Sequence, residues 1–474
     1  MPPKAEQIDQ YRWRVKRAGD MKQDAIVFAS AELFRGMEAD ACLDQLVNVA
    51  SLPGLAGPAL AMPDAHQGYG FPIGGVAAFD PHSGVVSPGG VGYDINCGVR
   101  LLASKLAAAD LGPAELNRLA DCLFAEVPSG VGQGGAIKLS RADLCRVMEQ
   151  GAAWAVKAGL GGQGDLEYCE ANGALPFADP EAVSQRAFKR GAGQVGTLGA
   201  GNHFIELARV EEIHDQEAAA AFGLWQGQAV FWLHSGSRGL GHQVCDDALK
   251  NLAKSKDAIH PPDRQLVAAP PHSRAGEEYL GAMAAAANYA FANRQALSAL
   301  VRGAVEKALA AGPAALGLRL VYDVAHNIAK LEEHAGRLVW VHRKGATRAL
   351  GPGHRELPAA YKKAGQPVLL PGDMGRGSYV LKGSARAEKE SFASAAHGAG
   401  RALSRTKAKA QARGRDLLAE LAAAGVTVRA GGLGGLAEEM PQAYKDAAAV
   451  VETLANSGLA PLVARTRPLV VIKG

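Results

Sequence analysis

Gly89-Gly90-Val91-Gly92-Tyr93-Asp94-Ile95-Asn96-Cys97-Gly98-Val99-Arg100 runs straight into an apolar stretch that ends at Ala103. An aspartate and a cysteine stand three positions apart in a glycine-lined turn that opens a strand. Glycine lets a backbone bend sharply and lets a ligand come close. Asp94 offers hard oxygen and Cys97 a soft thiolate. Alone, the pair reads as a turn aspartate beside a buried free thiol. Its meaning changes because histidines recur far along the chain, most of them beside another glycine-rich turn. The pattern points to a metal centre assembled from distant segments. Because the candidate ligands span residues 94 to 397, residues 1–474 are expected to form a single interwoven domain.

The bulk composition agrees with a globular chain. Of 474 residues, 48% are hydrophobic and 21% charged, which is ordinary usage. The 58 glycines are in excess and show no collagen-like period. A net charge of +4 permits a polyanionic partner without requiring one. The cysteines (Cys42, Cys97, Cys122, Cys145, Cys169 and Cys245) are scattered and form no CxxC pair, so a disulfide framework is not expected. Met1 to Asp20 is charged and holds no apolar signal region, and no apolar run reaches membrane-spanning length. A soluble, cytoplasmic protein without a membrane partner is expected.

Residues 25–105 read as β-rich, with strands at Ala25–Ala29, Gly75–Phe79 and Val99–Ala103 and a strand end at Leu60–Gly70. Residues 113–160 read as largely helical, with Pro113 in a first turn and Leu116, Leu119 and Leu123 at helical spacing. Strands are expected again at His203–Leu207, Ala229–Leu233, Leu318–Tyr322, Val339–Val341 and the tail Pro468–Gly474. Helices are expected over 275–310, Val324–His334 and 385–423.

Further segments carry chemistry. Gly196-Thr197-Leu198-Gly199-Ala200-Gly201-Asn202-His203-Phe204-Ile205-Glu206 is a glycine-rich loop that can present N–H groups to phosphate, although it is no dinucleotide fingerprint. In Phe231-Trp232-Leu233-His234-Ser235-Gly236-Ser237-Arg238 an apolar strand ends in an imidazole, a metal ligand, and is followed by a guanidinium suited to phosphate. Tyr322-Asp323-Val324-Ala325-His326-Asn327 reads as a strand-to-helix junction, with Asp323 as its cap. His342-Arg343-Lys344-Gly345-Ala346-Thr347-Arg348 reads as a solvated charge run or an anion-binding turn. His397 opens the turn Gly398-Ala399-Gly400 into a basic helix, where a neutral imidazole could attack phosphorus. Asp94, Cys97, His203, His234 and His326 together offer O, S and N ligands. A thiolate can bridge two divalent ions, which suits Mn²⁺ or Zn²⁺ chemistry on phosphates. His82, His214, His260, His272, His334 and His354 lack such settings and are expected at the surface. His66 and His242 remain open.

These segments, in this order, resemble the RtcB family of RNA ligases, also called tRNA-splicing ligases. The likeness runs from Ala25–Ala29 and Met62-Pro63-Asp64-Ala65-His66 to the terminal Lys473-Gly474. It implies an α+β fold of mixed β-sheets flanked by helices, and joining of an RNA 2′,3′-cyclic phosphate or 3′-phosphate end to a 5′-hydroxyl end, with GTP and two Mn²⁺ ions. Cys97 would bridge the ions. Asp94 and His203 would complete one ligand set, and His234 and His326 the other. His397 would carry the covalent GMP. The guanylate pocket would draw on Asn202, His203, Phe204, Ile205 and Glu206, on His326 and Asn327, on Pro371, Gly372, Asp373, Met374 and Ser378, and on Gly398, Ala399 and Gly400. Tyr444 and Lys473 would face the guanine. Arg190, Arg238, Lys344 and Arg405 would meet RNA or triphosphate oxygens. The resemblance also admits an archease-type activator protein as a partner, and either tRNA splicing or RNA repair as the setting.

Asp373 and Arg376 depart from the family pattern, in which serine is common at the first position; an acid there would alter nucleotide contacts. Two other readings compete. A dinuclear metal-dependent phosphoesterase would use the same ligands to activate water, but has no need of His397 or Lys473. A non-catalytic RNA-binding protein would call for aromatic-rich basic stretches, which the chain lacks.

Overall fold

The computed structural model describes residues 3–474; Met1 and Pro2, at the head of the Met1–Asp20 stretch, lie outside the described residues. In chain order the strands are β1 (Ala5–Asp9), β2 (Arg12–Val15), β3 (Ala25–Phe28), β4 (Ala59–His66), β5 (Ile73–Phe79), β6 (Gly98–Ala107), β7 (Phe204–Ile213), β8 (Gln228–Ser235), β9 (Arg319–Ala325), β10 (Asn327–His334) and β11 (Arg337–Lys344). They continue with β12 (Ala346–Arg348), β13 (Pro367–Asp373), β14 (Gly377–Lys382), β15 (Ser394–Ala396), β16 (Thr427–Ala430) and β17 (Leu462–Lys473).

One sheet runs β1-β2-β3-β4-β5-β11-β10. A second runs β13-β14-β17-β7-β8-β6-β9, with β16 added parallel to β17. β12 and β15 form a short pair of their own. The α+β class and the mixed sheets follow directly. Both large sheets contain parallel and antiparallel pairs, and the chain passes from one sheet to the other more than once.

The second sheet shows why an apolar run reads as a buried strand. Successive side chains of a strand point to opposite faces. Leu102, Ile205, Leu207, Phe231, Leu233, Val470 and Ile472 form one face, which packs on Leu119 and Leu123 of the helix Pro113–Glu126 and on Leu297, Val301 and Val305 of the helix Arg274–Leu309. Leu101, Val230, Trp232 and Val324 form the other, against Phe222 and Tyr361. Both faces are covered, so Ala229–Leu233 has no polar alternation. The helix Arg274–Leu309 starts at Ser273, whose side chain accepts from Gly276 N. It is buried on nearly every side from Tyr279 to Ser298, which explains its alanine content.

Several expectations need correction. Val324–His334 is strand: β9 ends at Ala325 and β10 begins at Asn327. Residues 385–423 are not one helical stretch but the helices Ala385–Glu390, Arg405–Gln411 and Leu417–Ala423, with β15 between the first two. The β-rich reading of 25–105 missed the helices Ala31–Glu38 and Cys42–Ala50, and the strands β1 and β2 precede it. Among the described residues no helix is long and apolar enough to cross a membrane.

Candidate active site

Antiparallel pairing gathers the candidate ligands at one end of the second sheet. β17, β7, β8, β6 and β9 are consecutive neighbours, and register sets Lys473 opposite Phe204, Phe204 opposite His234, Val99 opposite His234 and Gly98 opposite Ala325. His203 immediately precedes β7, Cys97 precedes β6, and His326 follows β9. His326 is therefore the residue at which the chain leaves the second sheet for the first. His326 N donates to Cys97 O at 2.9 Å, and Asn96 N to Asn327 O at 2.7 Å, so the two turns are tied by their backbones.

The side chains converge. Cys97 Sγ lies 3.4 Å from His203 Nε2 and 3.2 Å from His234 Nε2, and His234 Nε2 lies 3.3 Å from His326 Nε2. Asp94 Oδ2 faces His203 Nε2 at 2.9 Å, while Asp94 Oδ1 accepts from Ser237 N at 3.0 Å. At Gly236 a Cβ would stand 2.3 Å from Asp94 Oδ1, so only glycine allows this approach. His203 Nδ1 donates to Leu198 O at 2.8 Å. That leaves Nε2 turned to a carboxylate oxygen and a sulfur: with a proton there it bonds to Asp94, and without one the three atoms offer their lone pairs to a cation. The donors fall into two sets, Asp94-Cys97-His203 and Cys97-His234-His326, each within 4.8 Å, with Cys97 common to both. Burial drives His234 and His326 well below the ordinary histidine range, so both are neutral and fit to ligate. Burial and the charge of Asp94 push the Cys97 thiol up; a divalent ion bound there would reverse that and favour the thiolate. Burial raises Asp94, but His203, Cys97 and Arg238 together hold it well below the usual carboxylate range.

Beneath this turn lies a fully buried charge cluster. Arg100 on β6 stands opposite Asp323 on β9, and Arg100 Nε donates to Asp323 Oδ2 at 2.7 Å. Arg294 donates to Asp323 Oδ1 at 2.8 Å through Nη2 and to Asn96 O at 2.6 Å through Nη1. Asn96 has φ +52°, a conformation that costs a non-glycine residue energy. The Arg294 guanidinium holds it there. Asp323 is thus an internal counter-ion and not the helix cap that the sequence reading expected.

A cavity adjoins the cluster. Of the residues that the resemblance assigns to a guanylate pocket, Asn202, Phe204, Glu206, Pro371, Gly372, Asp373, Met374, Ser378, His397, Gly398, Ala399, Gly400, Tyr444 and Lys473 line it. His234 lines it too and connects it with the donor cluster. Phe204 and Glu206 on β7, and Val471 and Lys473 on β17, alternate into it. Ile205 points the other way, fully buried among Leu102 and Leu198. Asn327 turns inward: its Nδ2 donates to Asp94 O at 3.1 Å and its Oδ1 accepts from Gly345 N at 2.9 Å. It braces the donor turn.

His397 stands in this cavity, its ring centre 4.8 Å from that of His326. Its Nδ1 lies 2.7 Å from Asp64 Oδ2, and the same oxygen accepts from His397 N at 3.1 Å and Gly398 N at 3.3 Å. Nε2 is left as the free nitrogen facing the cavity. Asp64 is fully buried and was missed as a functional residue; it fixes both the tautomer and the direction of His397. Gly400, with φ +72°, lies so near that a Cβ would stand 2.2 Å from Asp64 O. The approach to His397 is itself held in strain. Phe392 and Ala393 have φ +50° and +46°, and Arg343, buried and bidentate on Glu332 at 2.7 and 2.8 Å, donates to Phe392 O and Ser394 Oγ.

This overturns the surface reading of the cationic run. Lys344 is buried and donates to the carbonyls of Tyr69, Phe71 and Gly89, so it lines neither this cavity nor the groove described below. Arg343 and Arg348 are internal because β11 is an interior strand and β12 is buried. Of the histidines expected at the surface, His334 and His354 are half-buried and the others exposed. His66 lines the cavity, and His242 the groove.

Asp373 and Arg376 close the β13–β14 turn. Asp373 Oδ1 accepts from Gly375 N and Arg376 N, and Oδ2 from Arg376 Nε at 2.5 Å. Arg376 Nη2 then donates to Pro441 O at 3.0 Å. The acid is occupied within its own turn, and the pair anchors the segment that carries Tyr444. Glu439, unforeseen in the sequence, accepts from Tyr444 Oη and from Arg401 Nη1 at 3.0 Å. Burial and the charge of Asp373 push Glu206 up to about 8. Burial brings Lys473 down to about 8.

Next to the cavity a wide groove is lined by Asp94, His203, Arg190, Arg238, Tyr93 and His242, among others. Asn202 and Arg405 line both spaces. The donor cluster therefore borders both spaces, the cavity through His234 and the groove through Asp94 and His203.

A family model described as tRNA-splicing ligase RtcB matches residues 45–474. The chain belongs to the RtcB family. Proteins named tRNA-splicing ligase RtcB from Thermococcus kodakarensis and Archaeoglobus fulgidus are each 49% identical to it over 99% of this chain and 98% of their own length. One from Aeropyrum pernix is 47% identical over 98% of this chain and 99% of its own length.

Proposed function

We propose that this protein is an RNA ligase that uses GTP to join an RNA 3′-phosphate or 2′,3′-cyclic phosphate end to a 5′-hydroxyl end, with residues 1–474 working as one unit. The observation that carries the reading is His397: an imidazole with its Nδ1 held by a buried carboxylate and its Nε2 left free in a cavity beside a five-donor cluster. Asp94, Cys97 and His203 would hold one Mn²⁺, and Cys97, His234 and His326 the other. When bound, the ions supply positive charge that neutralises phosphate oxygens and polarises phosphorus.

His397 Nε2 attacks the α-phosphorus of GTP; the N–P bond forms and pyrophosphate leaves. Asp64 accepts the Nδ1 proton's hydrogen bond and stabilises the positive ring. An oxygen of the RNA 3′-phosphate next attacks that phosphorus, the N–P bond breaks, and His397 is restored with guanylate on the RNA end. The 5′-hydroxyl then attacks the 3′-phosphorus and GMP leaves. A 2′,3′-cyclic end is first opened by water to the 3′-phosphate. The carboxylate of Glu206 can accept from guanine N1 and N2 hydrogens, and Lys473 can donate to O6; adenine offers neither match.

The test is incubation with Mn²⁺ and GTP labelled at the α-phosphate. Acid-labile label on the denatured protein is expected, absent with ATP and absent from His397→Ala. Phosphoester cleavage without protein label would instead favour a dinuclear phosphoesterase.

Guanine affinity should also depend on pH in a particular way. Glu206 accepts best as a carboxylate, formed as pH rises through about 8. Lys473 donates as an ammonium, lost as pH rises through about 8. Binding of GMP is therefore expected to peak near pH 8 and to fall about tenfold per unit on each side. Glu206→Gln should flatten the acid limb; a GMP titration that is level between pH 6 and 8 would exclude this role.

A further inference from the structure

We infer that Tyr93 and His242 form a stacking platform for the first nucleobase of the 5′-hydroxyl RNA strand. The inference rests on the ligase reading above and adds to it a place for one substrate base. The two rings lie 4.8 Å apart between centres and 34° from parallel, on the wall of the groove. They come from different elements: Tyr93 directly precedes the donor Asp94, and His242 lies one turn into the helix Arg238–Leu252. Tyr69 also packs against Tyr93, edge to face, with 5.6 Å between ring centres. Tyr93 is half-buried and His242 exposed, so the pair is open to the groove. An apolar ring surface kept open to water beside charged side chains is what base stacking uses.

The surrounding charges fit a nucleic-acid backbone. Arg190 Nη1 donates to Gln243 Oε1 at 3.1 Å and lies 3.5 Å from His242 Nδ1. Arg238 Nε donates to Thr197 Oγ1 at 3.2 Å. Among the described residues, neither Arg190 nor Arg238 forms an ion pair with a carboxylate, so both are free to meet phosphate. Arg238 also holds φ +53°, a strained conformation that sets its guanidinium across Gly199, where a Cβ would stand 2.0 Å from Arg238 Nη1.

Geometry decides which strand lies here. The 3′-phosphate must reach the guanylate on His397, which lines the cavity and not the groove. The groove adjoins that cavity at Asn202 and Arg405 and meets the donor cluster through Asp94 and His203, whereas the cavity meets it through His234. The end arriving along the groove is the attacking hydroxyl, and its base falls on the rings adjacent to Asp94.

Sealing kinetics with a normal 5′-hydroxyl strand, and with one whose first nucleotide is abasic, test this. Tyr93→Leu and the abasic strand should each raise KM for the 5′-hydroxyl strand about 5- to 100-fold, and together raise it no further than one alone. Tyr93→Phe should restore the wild-type KM, and His242→Ala should show the same lack of additivity from an independent element. Additive effects would overturn the inference. So would loss of additivity only when the abasic site is on the 3′-phosphate strand, or a matching fall in GTP labelling of His397 in both variants, which would mean that the rings act through the donor turn. Wild-type protein that takes label but shows no abasic effect defeats the platform alone; wild-type protein that neither takes label nor seals defeats the ligase reading itself.

Discussion

Cys97→Ala is expected to reduce sealing to background while leaving the protein folded. The thiol is the one donor common to both sets, so its loss strips a ligand from each ion at once. Changes to groups that merely support a metal ligand cost about 10- to 100-fold. Removing a ligand shared by two ions should cost at least that at each, so a fall of about 10⁴-fold is expected. The cavity created is a single sulfur in size, which keeps the structural cost near about 1 kcal/mol. The measurement pairs metal content after dialysis, by mass spectrometry, with sealing rate. Retention of two equivalents of metal with an unchanged rate would remove Cys97 from the centre. His203→Ala and His326→Ala should each spare one ion, so their losses should be smaller and distinguishable by stoichiometry.

Asp323→Ala is expected to be the most damaging single change to stability. It leaves Arg100 and Arg294, both fully buried, without a counter-charge. Breaking a buried pair in this way costs about 3–5 kcal/mol, because a charge remains in a medium that cannot solvate it. Here two guanidinium groups share one carboxylate, which places the expectation at the upper end. Denaturant unfolding should show the midpoint shift. A second effect follows from Arg294, which holds Asn96 O in its strained turn. Metal affinity should fall along with stability, although Asp323 touches none of the donors. A variant of wild-type stability and normal metal content would show that the buried cluster is dispensable.

Much of the site was legible because its residues sit in glycine-marked turns at the ends of apolar strands, and both features are local. Gly89–Arg100 and Phe231–Arg238 announce themselves in this way. What escaped was whatever depends on a partner far along the chain. Asp64 looks like any residue at a strand end until His397, 333 positions later, is set against it. The segment after His326 was misread for a different reason. Val324, Ile328 and Leu331 have helical spacing, and Lys330, Glu332 and Glu333 favour helix. In β10 the inward positions include Lys330 and Glu332, which are buried against Glu170 and Arg343. A strand whose inner face carries charges shows no apolar alternation to detect. Lys344 and its neighbours deceived in the same sense: a run of cations normally means solvent, and here each finds its partner inside.

The position of β17 governs when this molecule can first become active. It follows every other strand of its sheet in the chain, yet it lies in the interior of that sheet, between β14 and β7, and it brings Lys473 to the cavity of His397. While it is being made, β7 presents an unsatisfied edge and the cavity lacks a wall. A nascent or prematurely terminated chain can hold His397 and every metal donor and still have no finished cavity for a nucleotide. Synthesis of β17 therefore serves as the licence for chemistry, and its late insertion exposes the growing chain to aggregation until that strand arrives.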